Sequence, residues 1–392
     1  MPIRDDGRTG ARIRERRRLA HLTQRQLAAR LPYSYSLLNQ VECGAREASP
    51  GLITAVAVAL RIDVSVLTEP DTVTTLQRQR LAALVRPIRD AFDLFDLDPD
   101  PTVETAPLSE LVAAADALCQ QVRATRLRAA ASELPGVITS LTRIVRTRPG
   151  TESWRALAST YRTAHDVALK IGYPDLAAVA LDRMGWAAER GSDPCLAAVR
   201  QYKRALARQE SEGLGQRLVQ AGHALLDGET TRESLVVAGQ LHLGAVAVAA
   251  RAGNRTAVCG HLEAARDLAR QIGGEAGEVH WLSFGQTNID LHALGAQVRM
   301  KQWDEGLAQA RAMRLPPTTP TSRRARYLVD RAVVEMETGH AAASLRHLVD
   351  ARSLAPEQTR YLQGARDAVN GLVHTMRRPP EGLTHMAAWI GL

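Results

Sequence analysis

Apolar residues near the start of the chain recur at the spacing of an amphipathic helix. Leu27, Ala28 and Leu31 fall on one helical face. Thr23 precedes them and can cap a helix, because its side-chain oxygen can accept a hydrogen bond from a backbone N–H of the first turn. Gln26, three residues later, completes a capping box. The pattern therefore predicts a short helix from Thr23 to about Leu31.

A second short helix is predicted after a break at Pro32. Proline lacks a backbone donor and disfavours the α conformation of the residue before it, so the first helix should end here. Ser34 can cap the next helix, in which Leu38 and Val41 lie three residues apart on one face. Two short helices with a break of about three residues between them predict a helix-turn-helix, which places its second helix in the DNA major groove.

The segments that follow complete a small domain. Ser49-Pro50 is typical of a helix start, and the helix should continue to Leu60. A short helix is expected at residues 63–67 and a polar linker at residues 68–75. Residues 76–92 predict a helix that bends or breaks at Pro87, and residues 93–107 form an acidic, proline-bearing loop.

Residues 108–392 keep the helical period in segments of about 12–20 residues that end at glycine or proline. The expected breaks lie near residues 135–136, 149–150, 172–174, 191–194, 213, 228, 253, 273–274, 316–317, 339, 356 and 379–380. Segments of this length with short breaks are typical of stacked helical hairpins.

One of these hairpins resembles a tetratricopeptide repeat in its alternation of small and large residues. The matching positions are Leu328, Ala332, Gly339, Ser344, Leu348, Ala351 and Pro356. Gly253 begins a second series with the same offsets, and residues 301–313 resemble a third. Since such hairpins cannot bury their apolar faces alone, neighbours must stack. We expect a tetratricopeptide-like right-handed superhelix with a concave groove.

A family resemblance is carried by the first domain. The matching features are Thr23-Gln24, Leu27-Ala28, Ser34, Ser36, Glu42-x-Gly44-x-Arg46, Ser49-Pro50 and Ala57-x-Ala59-Leu60. On these residues, positions 8–70 resemble the phage-repressor type (Cro/C1, XRE) of helix-turn-helix domain. The segment departs from that family at Leu31-Pro32, where a small residue and a glycine are usual.

Candidate DNA-reading residues lie on the side of the second short helix that should be exposed. Asn39 and Gln40 can each read adenine through two hydrogen bonds. Tyr35 and Ser36 can reach a phosphate or a base edge. This helix therefore offers both kinds of contact that specific recognition needs.

The resemblance implies two further roles. Gln24 and Arg46 match positions that hold DNA phosphates in this family. Arg17 and Glu42 match positions that often form an ion pair across the core, and both lie beside apolar core positions. Such a pair is structural, and it should hold the first helix against the second helix of the motif.

Composition supports the prediction of an all-helical protein that binds DNA. Alanine, leucine and arginine dominate the 392 residues, and aromatic residues make up 4%. The net charge of +8 suits a polyanion, but a genome rich in G and C also raises the arginine content. Local charge is more informative, because six arginines and one glutamate occupy residues 8–18. Next to a helix-turn-helix, these arginines favour phosphate contact.

Several classes of protein are disfavoured. The four cysteines are dispersed without a C-x-x-C pair, which argues against zinc and disulfides and suggests a reducing cytoplasm. The chain starts with charged residues and no signal peptide. The most apolar stretch, residues 235–250, contains Gln240 and His242 and is shorter than a bilayer requires. No catalytic motif, metal motif or cofactor motif stands out, so an enzyme is not expected.

A ligand site is harder to place. Trp281, Asn288 and His292 fall on one stripe if residues 281–292 form a helix. The stripe either packs between hairpins or lines the groove, where it would offer an aromatic surface and two hydrogen-bonding groups. We carry the second alternative forward as a hypothesis for a peptide or small-molecule effector.

These patterns predict an all-α protein in three parts. Residues 1–70 form the DNA-binding domain, residues 71–107 a linker with one helix and an acidic loop, and residues 108–392 a repeat domain for ligand sensing and dimerisation. The architecture resembles bacterial quorum-sensing regulators whose repeat domain captures a peptide.

The predicted function is a cytoplasmic, homodimeric transcriptional regulator that binds a palindromic site on double-stranded DNA. The alternative is a protein-interaction adaptor that uses the helical repeats without regulated DNA binding. Asn39, Gln40 and the arginine-rich first helix favour the regulator.

Overall fold

The computed structural model describes residues 6–20, 22–60, 62, 64, 67, 72–98, 102, 105–207, 212–375 and 380–391. Within these ranges the secondary structure is helical, apart from turns and one isolated antiparallel bridge between Ala276 and Phe284. The chain divides into two compact units, Met1–Arg80 and Leu81–Leu392. The all-α prediction, a helix-turn-helix unit followed by a long helical region, is confirmed.

Local capping explains where the helices of the first unit begin. Thr23 Oγ1 accepts a hydrogen bond from the Gln26 N–H at 3.2 Å, and Gln26 Oε1 accepts one from the Thr23 N–H at 2.8 Å. Ser34 Oγ accepts from the Leu37 N–H at 3.2 Å. The helices are α1 (Asp6–Leu19), α2 (Gln24–Ala28), α3 (Tyr35–Glu42) and α4 (Pro50–Leu60).

The turn between α2 and α3 is longer than expected. The α-helix ends at Ala28 rather than near Leu31, and the N–H groups of Arg30 and Leu31 donate to carbonyls only three residues earlier. Pro32 accounts for this, because it disfavours the α conformation at Leu31. The break therefore spans residues 29–34 instead of three residues.

Close approach of α1 to α3 depends on a glycine. A Cβ atom at Gly10 would lie 1.9 Å from the carbonyl oxygen of Val41. Around this contact Ile13, Leu27 and Leu38 are fully buried. The expected helix at residues 63–67 and the first half of the linker predicted at residues 68–75 fall largely outside the described residues, and residues 72–75 are helical rather than part of a linker.

Two prolines lie inside helices, one where a bend or a break was expected and one where a break was expected. Pro87 is within α5 (Thr72–Asp93), and Pro135 is within α7 (Leu127–Thr147). A proline in a helix interior costs about 3 kcal/mol, and fully burying one large apolar side chain returns about 1.5–3 kcal/mol. Ile88 beside the first proline and Leu134 beside the second are each at most 1% exposed, so packing keeps both helices continuous.

The second unit is a succession of packed helices that continues after α5. The remaining helices are α6 (Leu108–Arg123), α7, α8 (Thr151–Lys170), α9 (Pro174–Arg190), α10 (Pro194–Ala207), α11 (Glu212–Ala224), α12 (Arg232–Arg251), α13 (Arg255–Ile272), α14 (Gln286–Arg299), α15 (Trp303–Ala312), α16 (Thr321–Glu337), α17 (Ala341–Leu354), α18 (Pro356–Thr359), α19 (Gln363–Thr375) and α20 (Glu381–Ile390).

Short connections pair these helices into hairpins. The connection between α8 and α9, that between α12 and α13, and that between α16 and α17 each contain one glycine at positive φ: Gly172 at 89°, Gly253 at 71° and Gly339 at 80°. Glycine adopts this left-handed conformation without steric cost, so a three-residue turn can reverse the chain. The helices of each pair pack extensively on one another.

The helical region closes on itself. Helix α16 contacts α6, and α18 contacts α7, although more than 180 residues separate the members of each pair. The backbone N–H of Arg128 at the start of α7 donates to Glu357 Oε2 of α18 at 2.9 Å. These contacts bring the two ends of the array together beside a central cavity lined by residues of both ends.

Among the described residues, one helix is long and apolar enough to cross a membrane. Helix α12 has 20 residues, so the sequence-based argument that this stretch is too short is wrong. Its most apolar window is nevertheless 78% buried inside the protein. Burial of this kind is typical of the core helix of a helical array.

Candidate nucleic-acid interface and central cavity

Helix α3 presents a polar face and buries an apolar one. Leu38 and Val41 are at most 1% exposed. Ser36, Asn39 and Gln40 are exposed on the other side of the helix. Because amide side chains on a helix of this kind can form paired hydrogen bonds with adenine, the exposed face can read base edges.

Tyr35 is held at the start of this face by its neighbours. Its ring is exposed, its hydroxyl donates to Gln24 Oε1 at 3.4 Å, and the Arg25 guanidinium lies 5.8 Å from the ring centroid. The Gln24 amide nitrogen in turn donates to Glu42 Oε2 at 2.7 Å. The Gln24 side chain thus links Tyr35 to the domain core.

Arg17 and Glu42 form a two-point ion pair between α1 and α3. Arg17 Nε lies 2.7 Å from Glu42 Oε1, and Arg17 Nη2 lies 2.8 Å from Oε2. Arg17 Nη1 also donates to the Leu22 carbonyl at 2.7 Å. The hydrogen bond to Glu42 outweighs burial and raises the pKa of Arg17. The pair fixes the orientation of α3 on the domain.

Two features of this surface were missed by the sequence reasoning. Arg25 is an exposed cation beside Tyr35, and its only signal was its position in α2. Gly10 permits the approach of α1 to α3, and a glycine inside an otherwise helical segment was the available signal. Arg46, which was predicted to contact a phosphate, is exposed four residues after the end of α3 at Glu42.

The prediction that Trp281, Asn288 and His292 lie on one face of a helix is wrong. Trp281 lies in a 3-10 turn (Val279–Trp281), and α14 begins only at Gln286. His280, Trp281 and Ser283 all have positive φ, which breaks the helical path. Arg123 holds this loop through hydrogen bonds to the Trp281 carbonyl at 3.0 Å and to Ser283 Oγ at 2.7 Å. Long-range contacts therefore override the local helical spacing.

The three stripe residues have different surroundings. Trp281 donates from Nε1 to Asp116 Oδ1 at 2.9 Å, and Asn288, which is 2% exposed, donates to Gln240 Oε1 at 3.4 Å. Burial, aided by nearby arginines, holds the pKa of His292 well below its usual value. Trp281 and Asn288 line adjoining parts of the central cavity.

A row of three histidines was not predicted from the sequence. His223, His242 and His261 occur at intervals of nineteen residues and come from three successive helices. The His242 and His261 Nδ1 atoms are 3.1 Å apart, and the His223 and His242 ring centroids are 4.6 Å apart. Burial, with the neighbouring imidazoles, lowers the pKa of His242 to about 4. The equal spacing was the signal in the sequence.

Comparison with known proteins assigns the first unit to a class. Residues 8–69 match the family described as "Helix-turn-helix domain". The N-terminal part of the chain is thus similar to helix-turn-helix domains, and its α3 carries exposed amide side chains.

Particular relatives match a short part of this chain. Over 58 residues the chain is 43% identical to two proteins of Mycobacterium tuberculosis, strains CDC 1551 and H37Rv, each described as an uncharacterized HTH-type transcriptional regulator. The aligned stretch covers 15% of this chain and 41% of each relative. The chain thus spans about two fifths of the length of those relatives, and no solved structure matches it.

Proposed function

We propose that this protein is a transcriptional regulator that binds a specific DNA sequence through α3. The observation that carries the proposal is the polar face of α3, where Ser36, Asn39 and Gln40 are exposed while the opposite face is buried. The similarity of residues 8–69 to helix-turn-helix proteins supports it. An enzymatic function has no comparable support.

The contacts divide into reading and positioning roles. Asn39 and Gln40 read base edges, and Tyr35 and Ser36 contact a phosphate or a base edge. Arg46 contacts a phosphate after α3. Gln24, whose amide is used within the domain, contributes to DNA binding mainly by holding Tyr35.

A homodimer on a palindromic operator is part of the proposal. A single module of this size buries about 600–1,000 Å² on DNA, which limits its affinity and specificity. Two copies related by two-fold symmetry place two recognition helices one helical turn of DNA apart, or a multiple of it. Dimerisation then belongs to the long helical region, which makes up most of the chain.

The helical region is proposed to be tetratricopeptide-like and to sense an effector in the cytoplasm. The hairpins with glycine turns support the repeat assignment, since Ser344, Leu348 and Ala351 of α17 are fully buried where a repeat requires small or apolar residues. The volume of the central cavity, about 470 Å³, supports binding of a small ligand rather than a long extended peptide.

Sequencing of DNA fragments retained by the purified protein tests this function. We expect enrichment of one palindromic sequence from random or genomic fragments. Retention of fragments without any shared sequence at moderate salt would instead favour the adaptor function, in which the first domain does not select DNA. Recovery of one half-site alone would contradict the dimer and leave DNA reading intact.

A further inference from the structure

The central cavity of the second unit carries an excess of positive charge. Its volume is about 470 Å³, which lies within the range of small-molecule sites. The charged residues that line it are six cations and one acid: Arg123, Arg162, Lys170, Lys203, Arg323, Arg326 and Asp166. Apolar side chains, among them Leu169 and Leu282, line the rest together with neutral polar groups.

Only two of the six cations have a carboxylate partner in the part of the chain that the structure describes. Lys203 Nζ lies 2.6 Å from Asp166 Oδ1, and Arg326 Nε lies 2.8 Å from Asp330 Oδ2. The remaining four, which we name the cation cluster, are Arg123, Arg162, Lys170 and Arg323. Unpaired charges of one sign that lie close together repel one another and are costly to bury.

Two members of the cation cluster donate to neutral groups. Arg123 donates to backbone carbonyls and to Ser283, as described above. Arg162, 3% exposed, donates to the His280 carbonyl, and its Nη2 lies 3.0 Å from Cys119 Sγ. The Nε–H of Arg162 is buried without a hydrogen-bond partner. Both guanidinium charges thus lack an anionic neighbour in direct contact.

The other two members face the same space from α8 and α16. Lys170 Nζ donates to the neutral Gln358 Oε1. Burial and the positive charge of Arg323, partly opposed by Asp166, lower the pKa of Lys170 to about 8. Burial and Arg323 also lower the pKa of Arg123. Arg323 therefore lies close enough to Lys170 and Arg123 for its charge to repel both.

A second, independent feature lies in an adjoining recess. The recess has a volume of about 220 Å³ and shares Arg123, Ser283 and Arg323 with the main cavity. Asn288 is 2% exposed and Thr319 is 9% exposed, and both line it. Asn288 Oδ1 and Thr319 Oγ1 are buried without hydrogen-bond partners. Since an unpaired buried polar atom is destabilising, both atoms suit contact with a polar ligand.

We propose that the cavity binds a small phosphorylated metabolite. Its phosphate lies within the cation cluster, because a dianion with several acceptor oxygens satisfies guanidinium and ammonium donors together. Its uncharged part extends into the recess and donates a hydrogen bond to Asn288. The ligand contacts α6, α8, α14 and α16, so it holds together the two ends of the helical array that meet around the cavity.

An acidic peptide is the less suitable occupant. Contacts of α16 with α6 and of α18 with α7 close the inner side, and the cavity and its recess together hold only a few residues of a peptide. A compact ligand places its charge in one region, which matches the proximity of Arg323 to Arg123 and Lys170.

The proposal is tested on the full chain without DNA. Thermal shift and calorimetry compare inorganic phosphate, ribose 5-phosphate, ribose and a triglutamate peptide in chloride buffer of constant ionic strength. We expect both phosphate probes to raise the melting temperature, with tighter binding of ribose 5-phosphate and no effect of ribose. Absence of stabilisation by either phosphate probe, or tighter binding of triglutamate, would overturn the assignment.

Matched variants locate the site. Arg323→Gln and Lys170→Gln should each weaken phosphate-probe binding roughly tenfold or more, as expected for a lost charge-assisted hydrogen bond. Arg324→Gln, an exposed neighbour on the same helix, should bind like the parent. Arg323→Lys, which keeps the charge, should recover part of the affinity. Equal binding by the parent, Arg323→Gln and Lys170→Gln would place the anion elsewhere.

Ligand-free stability provides a check on folding. Neutralising one repelling charge should leave the melting temperature of Arg323→Gln and Lys170→Gln unchanged or raise it, and a clear fall in both would contradict mutual repulsion. The effector role rests on the proposed DNA-binding function, but binding itself does not. Loss of phosphate binding and loss of DNA binding are measured separately, so either proposal can fail alone.

Discussion

The orientation of the recognition helix depends on a few side chains in the core of the first unit. Glu42 is 3% exposed and receives hydrogen bonds from both Arg17 and Gln24. The chain of contacts runs from Arg17 through Glu42 and Gln24 to Tyr35, at the edge of the face of α3 that is proposed to read DNA. A change in the core can therefore alter DNA binding without touching DNA.

Removing Glu42 should destabilise the first unit strongly. Glu42→Ala leaves Arg17 buried without its counter-charge, and breaking a buried pair in this way costs about 3–5 kcal/mol. Hydrogen exchange of α3 amides in the full chain measures this loss. Gln40→Ala, an exposed change on the same helix, is the control. Equal exchange in the two variants would show that the ion pair does not hold the helix.

Replacing Gly10 by alanine should lower the free energy of unfolding, whereas replacing Gly260 by alanine should raise it. Gly10→Ala brings a Cβ atom to 1.9 Å from the backbone oxygen of Val41, which cannot rotate away. Overpacking of this kind costs about 1–3 kcal/mol. Gly260→Ala, exposed in α13 with no atom within 4 Å, should stabilise by about 0.5–1 kcal/mol. Urea denaturation of both variants measures the change in the free energy of unfolding. Stabilisation by Gly10→Ala would contradict the close contact between α1 and α3.

At the scale of elements, the histidine row should make the stability of the helical region sensitive to pH. The folded pKa of His242 is about 4 and its usual value is 6.5, so the unfolded state binds more protons between these values. The contribution of neutral His242 to the unfolding free energy is therefore fully present above about pH 7 and is lost as the pH decreases towards 4. The contribution of His242 between pH 7 and pH 5 is about 2 kcal/mol.

Replacing His242 should flatten this pH dependence. In His242→Gln, the decrease in unfolding free energy between pH 7 and pH 5 should be smaller than in the parent by about 2 kcal/mol. His385→Gln, which changes an exposed histidine of α20, serves as the control. A parallel pH profile for His242→Gln and the parent would rule out this histidine as the cause.

Elements were predictable where local interactions decide them. The caps Thr23 and Ser34 act within one helical turn, so sequence alone placed the starts of α2 and α3. Pro135 was misread as a break because the burial that keeps its helix continuous comes from distant segments. The loop at Trp281 was misread for the same reason, since Arg123 holds it from far along the chain.

At the scale of the whole molecule, the net charge of +8 has more than one location. Part of it is on the first unit, where Arg14, Arg16, Arg18 and Arg25 are exposed. Another part lies inside the second unit, in the cation cluster. Sequence reasoning used only the local arginines of residues 8–18, because the residues of the cation cluster lie far apart in the chain and meet only in the folded array. A single charge excess thus supports two proposed anion-binding functions.

The helical region can act on DNA binding only if its ligand favours one arrangement of the whole protein over another. A ligand shifts such an equilibrium by the difference between its affinities for the two states. The cavity joins α6 and α8 to α16, so its occupation should favour the closed array. This gives the proposed effector a physical means to act on a dimer without contacting DNA.

The most direct test of the account is a salt titration of operator binding with two variants. Asn39→Ala should weaken binding to the selected operator by about 1–3 kcal/mol, with little change on unrelated DNA. Arg46→Ala should weaken binding to both DNAs alike and reduce the slope of log K against log salt by about one unit. Thr54→Ala, exposed on α4, should match the parent. Unchanged operator preference in Asn39→Ala and in a matching Gln40→Ala would contradict the claim that α3 reads the sequence.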